Sequence, residues 1–405
     1  MYKDVTPTPV AHSPLDVFVV FLKLGLTSFG GPIAHLGYFH RELVQKRGWV
    51  SESQYAQLLA LCQFLPGPAS SQLGFVLGLL RAGWRGALAA FAGFTLPSVM
   101  LMLGFAALLP YLSGSIDLAI IHGLKLVACA VVADAVLGMW RKLCSDWIRR
   151  LLAVAATVLV LWGGSAVWQL LAVALAAVVG GQFCRGSPAL QTAVVAPAYG
   201  RKAGGILLSL FVMLLVGLSL VAALSSEVGG VAVADAFYRA GALVFGGGHV
   251  VLPLLQESVV ESGWVSDAEF LAGYGAAQAL PGPLFAFSAY LGSLIPAGPG
   301  AGATAAMALV FMFLPGFLLV AAVLPLWHQV ASGQRLSGAV AGVNAAVVGL
   351  LAAALYNPIF TSGVADWSDL LIALVGFALL AVWRLSPLWV VGWCVAAAVL
   401  RAVVF

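Results

Sequence analysis

One stretch of this chain occurs twice, and both copies are broken in the same places. Phe21-Leu22-Lys23-Leu24-Gly25, Phe29-Gly30-Gly31-Pro32, Gly48-Trp49-Val50-Ser51 and Gln63-Phe64-Leu65-Pro66-Gly67-Pro68 form the first copy. They return in order as Phe237-Tyr238-Arg239-Ala240-Gly241, Phe245-Gly246-Gly247-Gly248, Gly263-Trp264-Val265-Ser266 and Gln278-Ala279-Leu280-Pro281-Gly282-Pro283. The offset is 216 residues over the first two pairs and 215 over the last two, a difference of one deletion. The match continues with Leu96-Pro97 against Leu314-Pro315 and Gly123-Leu124-Lys125 against Gly342-Val343-Asn344. Any fold for this chain must therefore accommodate glycine- and proline-rich breaks inside apolar sequence, and must do so twice.

Composition fixes where such a fold can live. Of 405 residues 62% are hydrophobic and 8% charged, with a mean hydropathy of +1.05, so there is too little polar surface to cover a soluble globule. The expectation is an all-α polytopic membrane protein made of two inverted-topology repeats with broken helices or re-entrant hairpins. Residues 1–14 read as a cytoplasmic N-terminal tail, and no small-residue cleavage site follows to suggest a removable signal peptide. Residues 15–184 are the first repeat, 185–235 a linker with a connecting transmembrane helix, and 236–405 the second, inverted repeat. Cys62, Cys129, Cys144, Cys184 and Cys394 are scattered and show no CxxC spacing, so no disulfide framework, metal site or cofactor is expected.

Charge sets the topology. The apolar runs 15–29 and 54–65 are short and end at breakers, whereas 86–109, 117–140 and 203–224 are long enough to span a bilayer. Runs 149–163 and 166–184 are shorter and hinge at Trp162-Gly163-Gly164-Ser165. The pattern restarts with broken runs at 236–255 and 268–294, full spans at 302–326 and 336–356, and a shorter pair at 369–383 and 386–404. Lys and Arg gather between some spans, while loops 225–235, 257–269, 296–301 and 357–369 contain neither. If basic loops are cytoplasmic, residues 53–80 leave and return on one side as a hairpin tipped by Pro66-Gly67-Pro68, and 268–294 enters from the other. Five crossings between the copies then invert the second, a hallmark of secondary transporters. In the simpler alternative, 15–45 and 53–80 each cross once.

Irregular backbone survives in a membrane only where protein buries it or water reaches it. A break that frees the first amides of a following half-helix also makes an anion site. The candidate substrate-binding backbone is thus Gly30, Gly31, Gly67, Gly247, Gly248 and Gly282, and Ala69, Ser70, Ser71 and Gln72 follow the first tip directly. Pro32, Pro66, Pro68, Pro281 and Pro283 mark the breaks, and Gln63 and Gln278 either cap them or coordinate a ligand. For any single glycine or proline, a packing notch or kink is the plainer reading; matched sets in two copies are not so easily dismissed.

Few ionisable residues lie inside the apolar runs. Lys23 and Arg239 occupy equivalent positions, and Lys125 is matched by Asn344. Intramembrane cations are functional candidates by default, with snorkelling to the interface as the alternative. Asp134 is either a partner for a cation or a proton carrier, and His249 either titrates near neutral pH or is a hydrogen-bonded structural residue. His35 and His122 give weaker signals. No GxxxxGK[ST] loop, HExxH motif or paired intramembrane histidine is present, which argues against ATP hydrolysis, proteolysis or haem, and hence against an enzyme.

Phe29-Gly30-Gly31-Pro32, Gln63-Phe64-Leu65-Pro66-Gly67-Pro68, Phe245 through Pro253, Gln278 through Pro283 and Val343-Asn344-Ala345-Ala346-Val347-Val348-Gly349 resemble the signature stretches of the chromate ion transporter family in its long two-domain form. The likeness runs from about residue 15 to 404. It implies a bacterial-type inner-membrane protein that exports chromate from the cytoplasm, driven by membrane potential or a proton gradient, with sulfate as analogue and competitor. The implied partners are that anion and the lipid bilayer; no nucleic acid is involved, and a homodimer is compatible. An oxyanion channel or an uptake permease for sulfate or another small anion would use the same scaffold.

Overall fold

The computed structural model describes residues 13–112, 114–163, 166–184, 197, 199–224, 229–245, 248–296, 300–327 and 333–404. Among them the regular elements are all helical. The first copy supplies α1 (Pro14–Thr27), α2 (Gly31–Phe39, prolonged by a wide π turn, His40–Lys46), α3 (Glu52–Phe64), α4 (Ala69–Leu108), α5 (Ser115–Leu143), α6 (Trp147–Gly163) and α7 (Ala166–Phe183). α8 (Arg201–Leu224) connects the copies. The second copy supplies α9 (Gly230–Leu243), α10 (Val251–Val259), α11 (Asp267–Gln278), α12 (Phe287–Leu294), α13 (Ala301–Val323), α14 (Gln334–Ala354), α15 (Trp367–Ala381) and α16 (Pro387–Val404).

The duplicated Gly-Trp-Val-Ser is a punctuation mark. Gly48 and Gly263 both take positive φ (57° and 75°), reversing the chain where a β-carbon would be strained. The serine three residues on then caps the next helix. Ser51 accepts from the Gln54 amide while the Gln54 side chain accepts from the Ser51 amide, and Ser266 and Glu269 repeat the arrangement at α11.

The half-helices are short. α3 has 13 residues and α11 has 12, lengths of about 20 Å and 18 Å against a hydrocarbon core of about 30 Å. α4 is two helices merged across a break: Ala82 (φ −142°, ψ 29°) and Gly83 (φ 63°, ψ −158°) leave helical geometry. Residues 69–81 are therefore a half-helix and 84–108 a separate span, with Gly78 set against Gly86 where the two fold together. Among the described residues six helices are long and apolar enough to cross a membrane, with 84–108 the crossing part of the first of them. No residue in the apolar stretch of α8 is fully buried, although the helix packs on α9 and α13.

Each copy is assembled in the same way and then wrapped by the other. α1 lies on the second half of α4, where a β-carbon on Gly25 would sit 2.6 Å from the Phe94 carbonyl oxygen; Gly241 of α9 meets the Met312 carbonyl of α13 equivalently. The closing pairs are exchanged. α6 and α7 of the first copy pack on α14 of the second, with Gly180 against Gly338 and Gly349 against Ala153. α15 and α16 of the second pack on α5 of the first, with Gly123 against Val395 and Gly376 against Ala130. In lipid there is no hydrophobic drive between helices, so this close backbone approach through small residues supplies the dispersion contact that holds them.

Candidate functional site at the crossed breaks

The two proline-flanked tips cross over. The Gly67 amide donates to the Val244 carbonyl at 2.7 Å, and the Gly282 amide donates to the Ser28 carbonyl at 2.9 Å. Ser28 and Val244 are equivalent in the duplication, as are Gly67 and Gly282. Each tip thus docks into the break of the other copy. Gly67 (φ 121°) lies against Gly316, where a β-carbon would come within 3.1 Å of the Gly316 α-carbon; Gly282 (φ 94°) lies against Ser98, the equivalent of Gly316, and the Phe94 carbonyl. Reciprocal bonds of this kind satisfy backbone that a broken helix would otherwise leave bare inside the membrane.

The first tip is reinforced by a side chain. Gln72 Nε2 donates to the Pro66 carbonyl at 2.8 Å and to the Gly316 carbonyl at 3.0 Å, tying the half-helix of the first copy to α13 of the second. Neither α2, which begins at Gly31 behind Gly30 with φ 77° and 97°, nor α4, which begins after Pro68, has a side-chain cap on its leading amides.

Buried polar atoms without partners collect here. Ser28 Oγ, His35 Nδ1, Ser71 Oγ, Gln72 Oε1 and Thr95 Oγ1 have no hydrogen-bond partner, and all five residues are buried. His35 Nε2 is 3.2 Å from the Ser28 carbonyl, and its ring stands edge-on to Phe94 with centroids 5.3 Å apart. Ser98 Oγ donates to the Thr95 carbonyl. Ser28, Thr95 and Ser98 are absent from the sequence-level candidates. The signal that could have found them is comparative: in the second copy the same positions are Val244, Phe313 and Gly316.

The predicted cations lie elsewhere. Lys23 is 61% exposed, with Nζ 3.9 Å from Glu42 Oε1; Lys46 and Arg47 reach the same buried carboxylate at 3.3 Å and 3.0 Å. Burial works to raise the Glu42 pKa, but the bonds from Arg47 and Lys46 and the charge of Lys23 outweigh it and hold the carboxyl below its usual range. Arg239 is 44% exposed and 3.9 Å from Asp235 Oδ2, and Asp235 also accepts from Ser219 Oγ. Glu257, the equivalent of Glu42 at offset 215, has no such escort. Burial and the charge of Glu261 push it up to about 7, against the pull of Arg239.

The remaining candidates are dispersed. Ala69 is half-buried and Ser70 buried on the half-helix after the first tip, and Gly248 begins the turn before α10. Pro66, Pro68, Pro281 and Pro283 flank the crossed glycines; Pro32 lies in the first turn of α2. Gln63 is exposed, while Gln278 is buried and borders Tyr274. His249 Nδ1 shares a 2.6 Å hydrogen bond with the Tyr274 hydroxyl. Lys125 and Asp134 are half-buried on α5 with no ion pair among the described residues, and Asn344 Oδ1 on α14 is buried without a partner. Gly247 lies outside the described residues.

A second polar cluster ties α5 to α15 and α16. Asp369, fully buried, takes His122 Nε2 at 2.8 Å, Arg401 at 2.7 Å and the Ala365 amide at 3.0 Å, beside an apolar-walled cavity of about 970 Å³.

Long apolar helices together with short, paired broken ones define an all-α polytopic membrane protein. The sequence matches the profile of the chromate transporter family over residues 15–182 and 231–400, and the chain belongs to that family. It is 31% identical over 388 residues to a probable chromate transport protein of Synechococcus elongatus, covering 93% of this chain and 91% of that one. It is 30% identical over 363 residues to a chromate transport protein of Pseudomonas aeruginosa (86% and 82% covered), and 28% identical over 383 residues to one of Cupriavidus metallidurans (92% and 89%). No solved structure matches the chain.

Proposed function

We propose that this protein is a secondary active transporter that exports chromate, or a sulfate-like tetrahedral oxyanion, across a bacterial-type inner membrane. The observation that carries the reading is the crossing itself: uncapped half-helix starts and buried, unpartnered polar atoms meet where the copies interlock. A hydrogen bond to a charged group contributes about 1.5–3 kcal/mol, so a few such donors replace much of an anion's hydration. Rocking of two inverted copies about the crossed tips opens the junction to one side and then the other.

The charge distribution supports export. Lys23, Lys46 and Arg47 crowd the single carboxylate of Glu42 in the first copy, whereas in the second, among the described residues, Arg239 alone faces Asp235, Glu257 and Glu261. If the basic cluster is cytoplasmic, anions are drawn in there and repelled from re-entry at the other face. Lys23 and Arg239 then act at the entrances, Lys125 and Asn344 assist in binding, and Asp134 and His249 are the coupling candidates.

The test is chromate and sulfate flux in proteoliposomes under an imposed voltage or pH gradient. Concentrative flux that follows the gradient, with sulfate competing, is the expected result. Flux that only dissipates an anion gradient identifies a channel or facilitative permease instead, and the absence of both flux and anion-dependent thermal stabilisation overturns the reading.

A further inference from the structure

The seat beneath the second tip has a hydrogen-bond polarity that the transporter reading alone does not anticipate. A carbonyl oxygen only accepts, so His35 Nε2, 3.2 Å from the Ser28 carbonyl, is the nitrogen that carries the ring proton. In the neutral ring Nδ1 is then a lone-pair acceptor, buried and unpartnered. An unprotonated oxyanion has only acceptors to offer that atom, and two lone pairs facing each other repel. The hydroxyls of Ser28, whose carbonyl His35 approaches, and of Thr95, next in the chain to the Phe94 that His35 packs on, are both without a partner and are by contrast donors suited to an anion.

We infer that Ser28, His35 and Thr95 form one seat that takes a tetrahedral oxyanion together with one proton, shared between the anion and His35 Nδ1. This rests on the reading of the chain as an oxyanion transporter. The two hydroxyls donate to two anion oxygens; the proton sits between a third oxygen and Nδ1. Whether it is written as a dianion on imidazolium or a hydrogen-oxyanion on imidazole, the assembly carries one negative charge. Each anion therefore moves with one proton and one net charge rather than two.

The surroundings leave that proton no other home. α4, packed on α2, has only Arg81 and Arg85 as charged residues, both well before Thr95. The turn that continues α2 brings His40, bonded to Glu52 at 2.6 Å, Arg41, and Glu42 and Lys46, paired with each other. The second tip has no ionisable residue. Nor is there a second such seat, since the equivalents of Ser28, His35 and Thr95 are Val244, Val251 and Phe313.

Proton uptake on sulfate binding to the purified protein, measured by calorimetry in buffers of differing ionisation enthalpy, tests this directly. One proton per sulfate is expected in the wild type and none in His35→Gln, with Val251→Ala unchanged. Should His35→Gln fail to fold, Ser28→Ala and Thr95→Val take its place: each weakens sulfate about tenfold yet retains one proton per anion bound. Sulfate binding without proton uptake in the wild type overturns the inference and leaves the transporter reading intact. A wild type that neither binds sulfate or chromate nor carries them fails the transporter reading first.

Discussion

The two breaks share a backbone plan and differ in nearly everything attached to it. At the first, the docked Gly282 meets the Ser28 carbonyl, which His35 also approaches, along with Ser98 and the Phe94 carbonyl; at the second, the docked Gly67 meets the Val244 carbonyl and Gly316, and the positions equivalent to His35 and Thr95 are Val251 and Phe313. The half-helices after the tips diverge in the opposite sense: Ser70, Ser71 and Gln72 follow the tip that docks at the Val244 break, and Phe285, Ala286 and Phe287 follow the tip that docks at the Ser28 break. On the apolar side the space is taken by rings: Phe285 lies 5.7 Å from Phe313, Phe313 5.8 Å from Phe317, and Phe317 is stacked on Phe75 at 4.4 Å. Duplication thus supplies a shared backbone frame, and the side chains at its two breaks have diverged.

The largest effect that can break this comparison is at the tips. Gly282→Ala introduces a β-carbon at φ 94° against Ser98 and the Phe94 carbonyl, and Gly67→Ala one at φ 121° against Gly316 and Gln72. Left-handed geometry alone costs a side-chain residue about 1–2 kcal/mol. Chromate flux in proteoliposomes should fall at least a hundredfold in both; near-normal flux in either would show that its docking is dispensable.

Next come the side chains that distinguish the seats. Ser28→Ala and Thr95→Val each remove a donor to a charged ligand, about 1.5–3 kcal/mol or roughly ten- to a hundredfold in apparent KM. Val244→Ala and Phe313→Leu should change KM little. Equal effects on the two sides would mean both breaks handle the anion.

Smaller again is the seam between α5 and the closing pair of the second copy. Asp369→Asn weakens acceptance from Arg401 and His122 and should destabilise the protein by about 1–3 kcal/mol, read as a lowered Tm with unaltered anion affinity. A changed affinity would place this seam in the transport cycle.

The smallest effect separates the two copies by pH. Glu257 binds its proton more tightly when folded, its pKa being raised from 4.5 to about 7. Its stabilising contribution is complete below pH 4.5 and is lost as the pH rises through 7. Glu42 is the opposite: its lowered pKa gives stability above 4.5 that is lost as the pH falls through its folded value. Solvent screening keeps both modest. Thermal melts from pH 4 to 8 should lose the neutral-range slope in Glu257→Gln and the acid-range slope in Glu42→Gln; an unchanged profile in Glu257→Gln would place that slope elsewhere.

Much of this was legible in the chain. Repeats, breaks and tips depend on local backbone chemistry, so glycine and proline at fixed spacings announce them. The cations were not legible. Lys23 and Arg239 look internal when residues are counted from the start of an apolar run, yet helical phase turns them outward to Glu42, distant in sequence, and Asp235, one turn away. Ser28 and Thr95 were silent for another reason: a lone hydroxyl in an apolar helix has no period and no motif.

By itself, then, the sequence determined a membrane-embedded helical duplication with two breaks per copy, because hydrophobicity and backbone permissiveness are properties of neighbouring residues. Only the tertiary structure decided that each tip seats in the other copy and that the closing helices exchange partners. Those choices depend on which glycines meet which carbonyls across the lipid-embedded core, a matter of three-dimensional fit between residues far apart in the chain.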